Sequence, residues 1–268
     1  MKGLLMSPDL GFILAGALVG LCVGLTGVGG GSLMTPLLTM MGVPLHTAIG
    51  TDLLYAAITK SSGSVVHFQK KNIEWSVVRW LALGSIPASL LTAWALHAFF
   101  GNANNYKGVM TVSLGLMLMV TALSLVFKNQ LQKFHDANPV KSRFRAWVSA
   151  NNTQSTVLMG IALGVLVTLS SVGAGAFGVV VLLSLYPALS TIKIIGTDVT
   201  HAVFLTLVAG LAHAKMGNVD YHLLSMLLIG SIPAIIAGTH LSSRMPEPVI
   251  RPLLGLTLMA LSIKFVFY

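Results

Sequence analysis

The stretch GLTGVGGGSLMTP, Gly24 to Pro36, places five glycines and a proline inside an apolar region. Glycine and proline interrupt helices, while the flanking residues favour a long apolar one. The stretch reads as a break: an apolar helix from about Leu10 to Thr26, then a short apolar segment, Leu33–Met41. That segment is too short to cross a bilayer alone, which takes ~20 residues. A phosphate loop is excluded. GxxxxGK[ST] requires a lysine after its last glycine, and Gly31 is followed by Ser32, Leu33 and Met34.

Outward from this stretch the composition is that of a membrane chain. The 268 residues are 55% hydrophobic and 9% charged, whereas soluble domains carry roughly 25% charged residues. The apolar runs are long and continuous, which predicts helices and not a β-barrel. The net charge is +9, yet nucleic acid is not the expected partner. The basic residues gather in loops, at Lys70, Lys71, Lys128, Lys133, Lys141, Arg143 and Arg145, without interleaved aromatics. They mark cytoplasmic loops by the positive-inside rule. Cys22 is the one cysteine, so neither an intrachain disulfide nor a Cys-rich metal site is possible. The apolar run after Lys2 has signal-peptide character, but its counterpart later in the chain makes it a transmembrane helix.

That counterpart is part of a duplication. IGTD occurs at Ile49–Asp52 and at Ile195–Asp198, and GSIPA at Gly84–Ala88 and at Gly230–Ala234. Both pairs are offset by 146 residues. The same register pairs His67 with His213, Asn72 with Asn218, and Gly27 and Gly29 with Gly173 and Gly175. Repeats of this kind are common in secondary transporters. The expected fold class is an all-α polytopic membrane protein of two homologous repeats, each of about four transmembrane helices with a glycine-rich broken helix. Residues 1–128 form the first membrane repeat, 129–150 a polar, basic cytoplasmic linker, and 151–268 the second membrane repeat. Further helices are expected near His46–Phe68, Trp75–Phe99, Tyr106–Phe127, Thr156–Leu169, Val179–Tyr186, Thr191–Ala214, His222–Leu241 and Val249–Phe267. This makes about eight crossings. The repeats are parallel if each crosses four times and inverted if the broken segment adds a crossing; the sequence leaves both open.

Polar residues inside apolar helices are the candidates for function, because a charge near the bilayer centre costs ~2.5–3.5 kcal/mol on insertion scales. Asp52 and Asp198 are equivalent in the two repeats. They read as a proton relay or the organisers of a polar site, or else as helix-end caps that tie down the nearby break. Lys60 follows Asp52 by eight residues, ~12 Å of rise and ~80° of rotation, so the two are no ion pair along one helix. Lys60 needs another partner: a carbonyl, water or a bound anion. Its counterpart is Thr206. Lys193 is close to a helix end and can snorkel to the interface. His67 and His213 fit a bond to the loop that follows each, and Pro87 and Pro233 fit kinks within helices.

An interrupted helix frees backbone groups that must face protein or a watery cavity. The half-helix beginning near Ser32 directs its positive end at the break, an attractive place for an anion. The second break, Ser170 to Gly175, offers another such end with the hydroxyl of Ser171. GGGS also admits a serine nucleophile at Ser32, but the other repeat has Gly178 at that place, so no enzyme is expected.

GLTGVGGGSLMTPLL followed by HTAIGTDLLY, a helix ending in HF and then GSIPA resembles the sulfite exporter TauE/SafE family, also called the toluene-sulfonate uptake permease family. The resemblance covers essentially the whole chain. It implies movement of sulfite or sulfur-containing organic anions across the bacterial cytoplasmic membrane. It also implies that Gly27, Gly29, Gly30, Gly31, Thr51 and Asp52, with Gly173, Gly175, Thr197 and Asp198, belong to a central region. The second half departs from the pattern, with Ala176 and Phe177 at the places of Gly30 and Gly31. The expected function is a secondary transporter of small anions working by alternating access, with a passive anion channel as the alternative. The expected anion contacts are Gly29, Gly30, Gly31, Ser32, Thr51, Lys60, Ser171, Gly173, Gly175 and Thr197. No cofactor is expected, and protons or another ion are the candidate coupling partners.

Overall fold

The computed structural model describes residues 8–26, 31–101, 103–137, 152–173, 175–242, 255–256 and 258–265. They form α1 (Pro8–Thr26), α2 (Gly31–Met40), α3 (Leu45–Gln69), α4 (Trp75–Phe100), α5 (Ala103–Ala137), α6 (Asn152–Ser170), α7 (Ala176–Leu185), α8 (Thr191–Lys215) and α9 (Tyr221–Ser242). A last helical stretch, α10, covers 258–265, and no strand occurs among the described residues. Six of these helices are long and apolar enough to span a bilayer: α1, α4, α5, α6, α8 and α9. With 25 residues, α3 is long enough, but Asp52, Lys60 and a run of serines make it less apolar. The helix α5 continues through 129–137, where a linker is expected from sequence. The rest of that linker, 138–150, lies outside the described residues, as do 249–254, 257 and 266–267 of the expected Val249–Phe267 helix.

The bundle is organised around α3 and α8, which pack antiparallel. A Cβ on Gly50 would meet His213, one on Gly210 would meet Leu54, and one on Gly196 would meet His67. Ser64 and Thr200 share a hydrogen bond of 2.9 Å. The first helix of each half lies along the Gly-Ser-Ile-Pro helix of the other. Gly16, Gly20 and Gly24 of α1 lie on Leu227, Ser231 and Ile235 of α9, in parallel. A Cβ on Gly20 would stand 2.6 Å from the Ser231 carbonyl. Similarly, Gly160 and Gly164 of α6 lie on Leu81 and Ser85 of α4. Small residues four apart let two membrane helices approach backbone to backbone. Leu83, Leu91 and Trp94 of α4 stay exposed, as suits a helix turned toward lipid.

The short helices turn back. Met41, just past α2, reaches Gly11 near the start of α1. Tyr186, just past α7, shares a 2.7 Å hydrogen bond with Thr156 near the start of α6. Each of them therefore returns the chain to the end from which the preceding helix set out. The starts of α1, α3 and α9 gather at one end of the bundle, where Asp9 pairs with His222 at 3.0 Å. Those of α4, α6 and α8 gather at the other.

Candidate functional site

The site is built on the middle of the α3–α8 pair. Lys60 lies ~22 Å along α3 from Leu45 and ~14 Å before Gln69, at 1.5 Å per residue, between the Leu54–Gly210 and Ser64–Thr200 contacts. Its ammonium is within electrostatic range of both Asp198 and Asp52. Both carboxylates are fully buried.

The two carboxylates are held differently. Asp52 faces α2, where the Thr35 hydroxyl donates to its Oδ2 at 2.5 Å. Ser171, in the second break, approaches Asp52. Asp52 Oδ1 and Ser171 Oγ are nevertheless both buried without a closed hydrogen bond among the described residues. Asp198 faces α7 at Gly178, two residues past the start of that helix. A Cβ there would overlap Asp198 Oδ1 and stand 3.0 Å from its Cγ. Neither oxygen of Asp198 has a hydrogen-bond partner among the described residues. Position 181, 146 residues after Thr35, is Val181, so α7 lacks the hydroxyl that α2 provides.

One turn further on, His201 Nε2 and Ser85 Oγ of α4 lie 2.8 Å apart. Ser89 accepts a 2.7 Å bond from Thr168 of α6. Tyr55, at the place of His201 in the first half, has a buried hydroxyl that makes no hydrogen bond among the described residues. Thr35, Ser85 and Ser89 are not singled out by the sequence. The signal that would have found them is a small polar residue on the buried face of an apolar helix.

The remaining expected residues fall in three places. Gly29 and Gly30 lie outside the described residues; Gly31 begins α2, and the side chain of Ser32 is also outside. Ser171, Gly173 and Gly175 form the second break, with φ of 58°, 124° and 144°, values at which side chains are strained and glycine is not. Thr51 and Thr197 sit between the halves. Thr197 Oγ1 accepts from the Glu74 N–H at 2.9 Å and donates to the Lys193 carbonyl at 2.7 Å. Thr51 Oγ1 accepts from the Asp220 N–H at 3.1 Å. Each threonine thus secures the turn before the other half's proline helix. Thr51→Val and Thr197→Val each orphan one backbone N–H and are expected to cost about 1–2 kcal/mol. Being far apart, their costs add; thermal midpoints of the two single variants and the double variant in detergent check this.

His213 is also structural: its Nε2 lies 2.9 Å from the Thr168 carbonyl and its Nδ1 3.3 Å from Asn218 in the turn that follows. Asn218 in turn donates to Tyr106 at 3.0 Å.

The family model described as "Sulfite exporter TauE/SafE" matches residues 12–265. The chain belongs to the sulfite exporter TauE/SafE family. This TauE/SafE chain is 37% identical over 242 residues to "Probable membrane transporter protein YjnA" of Bacillus subtilis, covering 90% of this chain and 93% of that one. It is 28% identical to "Probable membrane transporter protein YdhB" of the same organism, covering 91% and 95%. It is 25% identical to "Probable membrane transporter protein MJ0441" of Methanocaldococcus jannaschii, covering 87% and 84%. No solved structure matches it significantly. Family and spanning helices together make it a membrane transporter.

Proposed function

We propose that this TauE/SafE protein is a secondary transporter of small anions, sulfite or organosulfonates, in the bacterial cytoplasmic membrane. The observation that carries the reading is Lys60, a cation near the middle of the antiparallel pair at the centre of the bundle, within electrostatic range of Asp52 and Asp198. The α7 start lies next to it through Gly178 and Asp198, and the positive end of a helix adds to the attraction for an anion. Among the described residues, Gly31 of the first break and Ser171, Gly173 and Gly175 of the second are the proposed anion contacts. Thr51 and Thr197 act through the frame, since their hydroxyls already hold backbone groups. Asp52 and Asp198 organise the site and its coupling.

The two halves are read as inverted repeats. Support comes from α3 and α8, equal in length, 146 residues apart and antiparallel, and from the reciprocal Thr51–Asp220 and Thr197–Glu74 bonds. The α1–α2 and α6–α7 hairpins return to their own side, which leaves three net crossings per half and inverts the second. Lys70, Lys71, Arg79 and Lys193 then share the side where α6 begins, which the positive-inside rule makes cytoplasmic. Alternating access is the rocking of such halves around a fixed central site.

The test is uptake of sulfite and of methanesulfonate into proteoliposomes. Lys60→Ala is expected to lower transport at least tenfold, and Lys193→Ala, at a helix end, less than twofold. Near-normal transport by Lys60→Ala removes the lysine from the mechanism. Absence of trans-stimulation by internal anion identifies a channel instead.

A further inference from the structure

We infer that Asp198 is the proton carrier of this transporter, and that each anion moves together with one proton bound there. The inference rests on the anion reading above and deepens it by naming the coupling ion and its site.

The argument starts from occupancy. Asp198 is fully buried, neither oxygen has a hydrogen-bond partner among the described residues, and the carboxylate lies against the first turn of α7 at Gly178. Lys60 is the cation within its range. Asp198 thus already occupies the positive surroundings that an anion from outside would seek. Asp52 lies in range of Lys60 as well, so an arriving anion adds a third negative charge to a site with one cation. In a low-dielectric interior that repulsion is severe. A proton on Asp198 removes its share: the carboxylic acid is neutral, Lys60 balances Asp52, and the α7 start then faces the anion. The proton is taken from water on the side to which the site is open and given to water on the other. A monoanion and a proton together carry no net charge.

Asp52 is not the equivalent carrier, although it is the equivalent residue. The Thr35 donor stabilises its charged form and fixes it to α2. Other titratable groups on the elements packed against α8 leave Asp198 the role. On α3 these are Lys60, the one in range of Asp198, and, elsewhere along the helix, His46, Asp52, Tyr55 and His67. Before and on α4 they are Glu74, Arg79 and His97, with Arg79 and His97 exposed. On α8 itself they are Lys193, His201, His213 and Lys215; His201 is bonded to Ser85 and His213 to the Thr168 carbonyl. The sequences of α6 and α7 contain no titratable side chain.

The experiment uses the full chain in proteoliposomes with methanesulfonate, a permanent monoanion, as probe. The wild-type protein is expected to accumulate it at least tenfold toward the alkaline compartment when a pH gradient is imposed. Asp198→Asn is expected to make whatever transport remains independent of the pH gradient, whereas Asp52→Asn, at a lower rate, keeps that dependence. A second variant works by gain. Val181 lies one helical turn from Gly178 on the same face, so Val181→Thr places a donor beside Asp198 and moves the pH profile of uptake about one unit toward acid. Infrared titration of the purified protein is expected to show a buried carboxylic C=O band that Asp198→Asn removes. Proton-driven accumulation by Asp198→Asn, an unshifted Val181→Thr profile, or survival of the band overturns the inference. Absence of wild-type transport of either sulfite or methanesulfonate overturns the anion reading instead, and the infrared band then decides alone whether Asp198 holds a proton.

Discussion

A Gly230→Val chain is expected to melt in mild detergent far below the wild-type protein, with a loss of about 3 kcal/mol or more, the upper end of what overpacking costs. A Cβ at position 230 falls on the Ile13 carbonyl oxygen and within 2.8 Å of its carbon and 2.9 Å of the Ala17 nitrogen. All three atoms are backbone, so no side-chain rotation gives relief. Either α1 and α9 separate, which forfeits the approach that holds them, or one of them bends. Membrane helices have no hydrophobic effect between them to compensate, because lipid is as apolar as the lost contact. Gly84→Val is expected to act alike, since its Cβ would fall on the Val157 carbonyl of α6. The control is Gly108→Val on α5, where nothing stands within 4 Å. Size-exclusion profiles after stepped heating give the midpoints. Equal midpoints for Gly230→Val and Gly108→Val contradict the close packing of α1 on α9.

Much of the helix spacing was legible because IGTD and GSIPA each occur twice in one register. The 146-residue register places the starts of α3 and α8 at Leu45 and Thr191 and of α4 and α9 at Trp75 and Tyr221, as the IGTD and GSIPA pairs imply. The pairing of helices was not legible. Apolar helices facing lipid satisfy hydropathy in parallel or inverted order alike, so only contacts such as Gly210 on Leu54 reveal the antiparallel pair. The glycines of α1 held a further signal: Gly16, Gly20 and Gly24 recur every four residues on one face. Gly24, inside the expected Leu10–Thr26 helix, belongs to α1 and completes the stripe that packs on α9. Thr51 has a contact that its neighbours in sequence do not announce. It neighbours an intramembrane aspartate, yet its hydroxyl serves the Asp220 N–H, a partner 169 residues away that no local pattern foretells. The aspartates themselves were legible as a pair. Their inequality was not, because it depends on Thr35 and Val181, which are unremarkable until α2 and α7 are laid against α3 and α8.

That inequality leads to the second large effect. Gly178→Ala is expected to lower anion transport at least tenfold while leaving the thermal midpoint within the range of an ordinary surface change, about 0.5 kcal/mol. The new methyl overlaps Asp198 Oδ1 and stands 3.0 Å from Cγ and 3.4 Å from Oδ2. The backbone of Asp198 has little room to retreat, for Gly196 packs against the Asn72 carbonyl and His67, and Thr197 is bonded to Glu74. The carboxylate must therefore turn away from α7, which is cheap for a two-rotor side chain but takes the charge out of place. Stability and function thus part company here, the reverse of Gly230→Val, where a backbone clash destroys both. Asp198→Ala discriminates further. In that background Gly178→Ala has no carboxylate to displace, so the double variant is expected to transport no worse than Asp198→Ala alone, and the two effects are far from additive. Full additivity, or normal transport by Gly178→Ala, means that the α7 start and Asp198 do not act as one site.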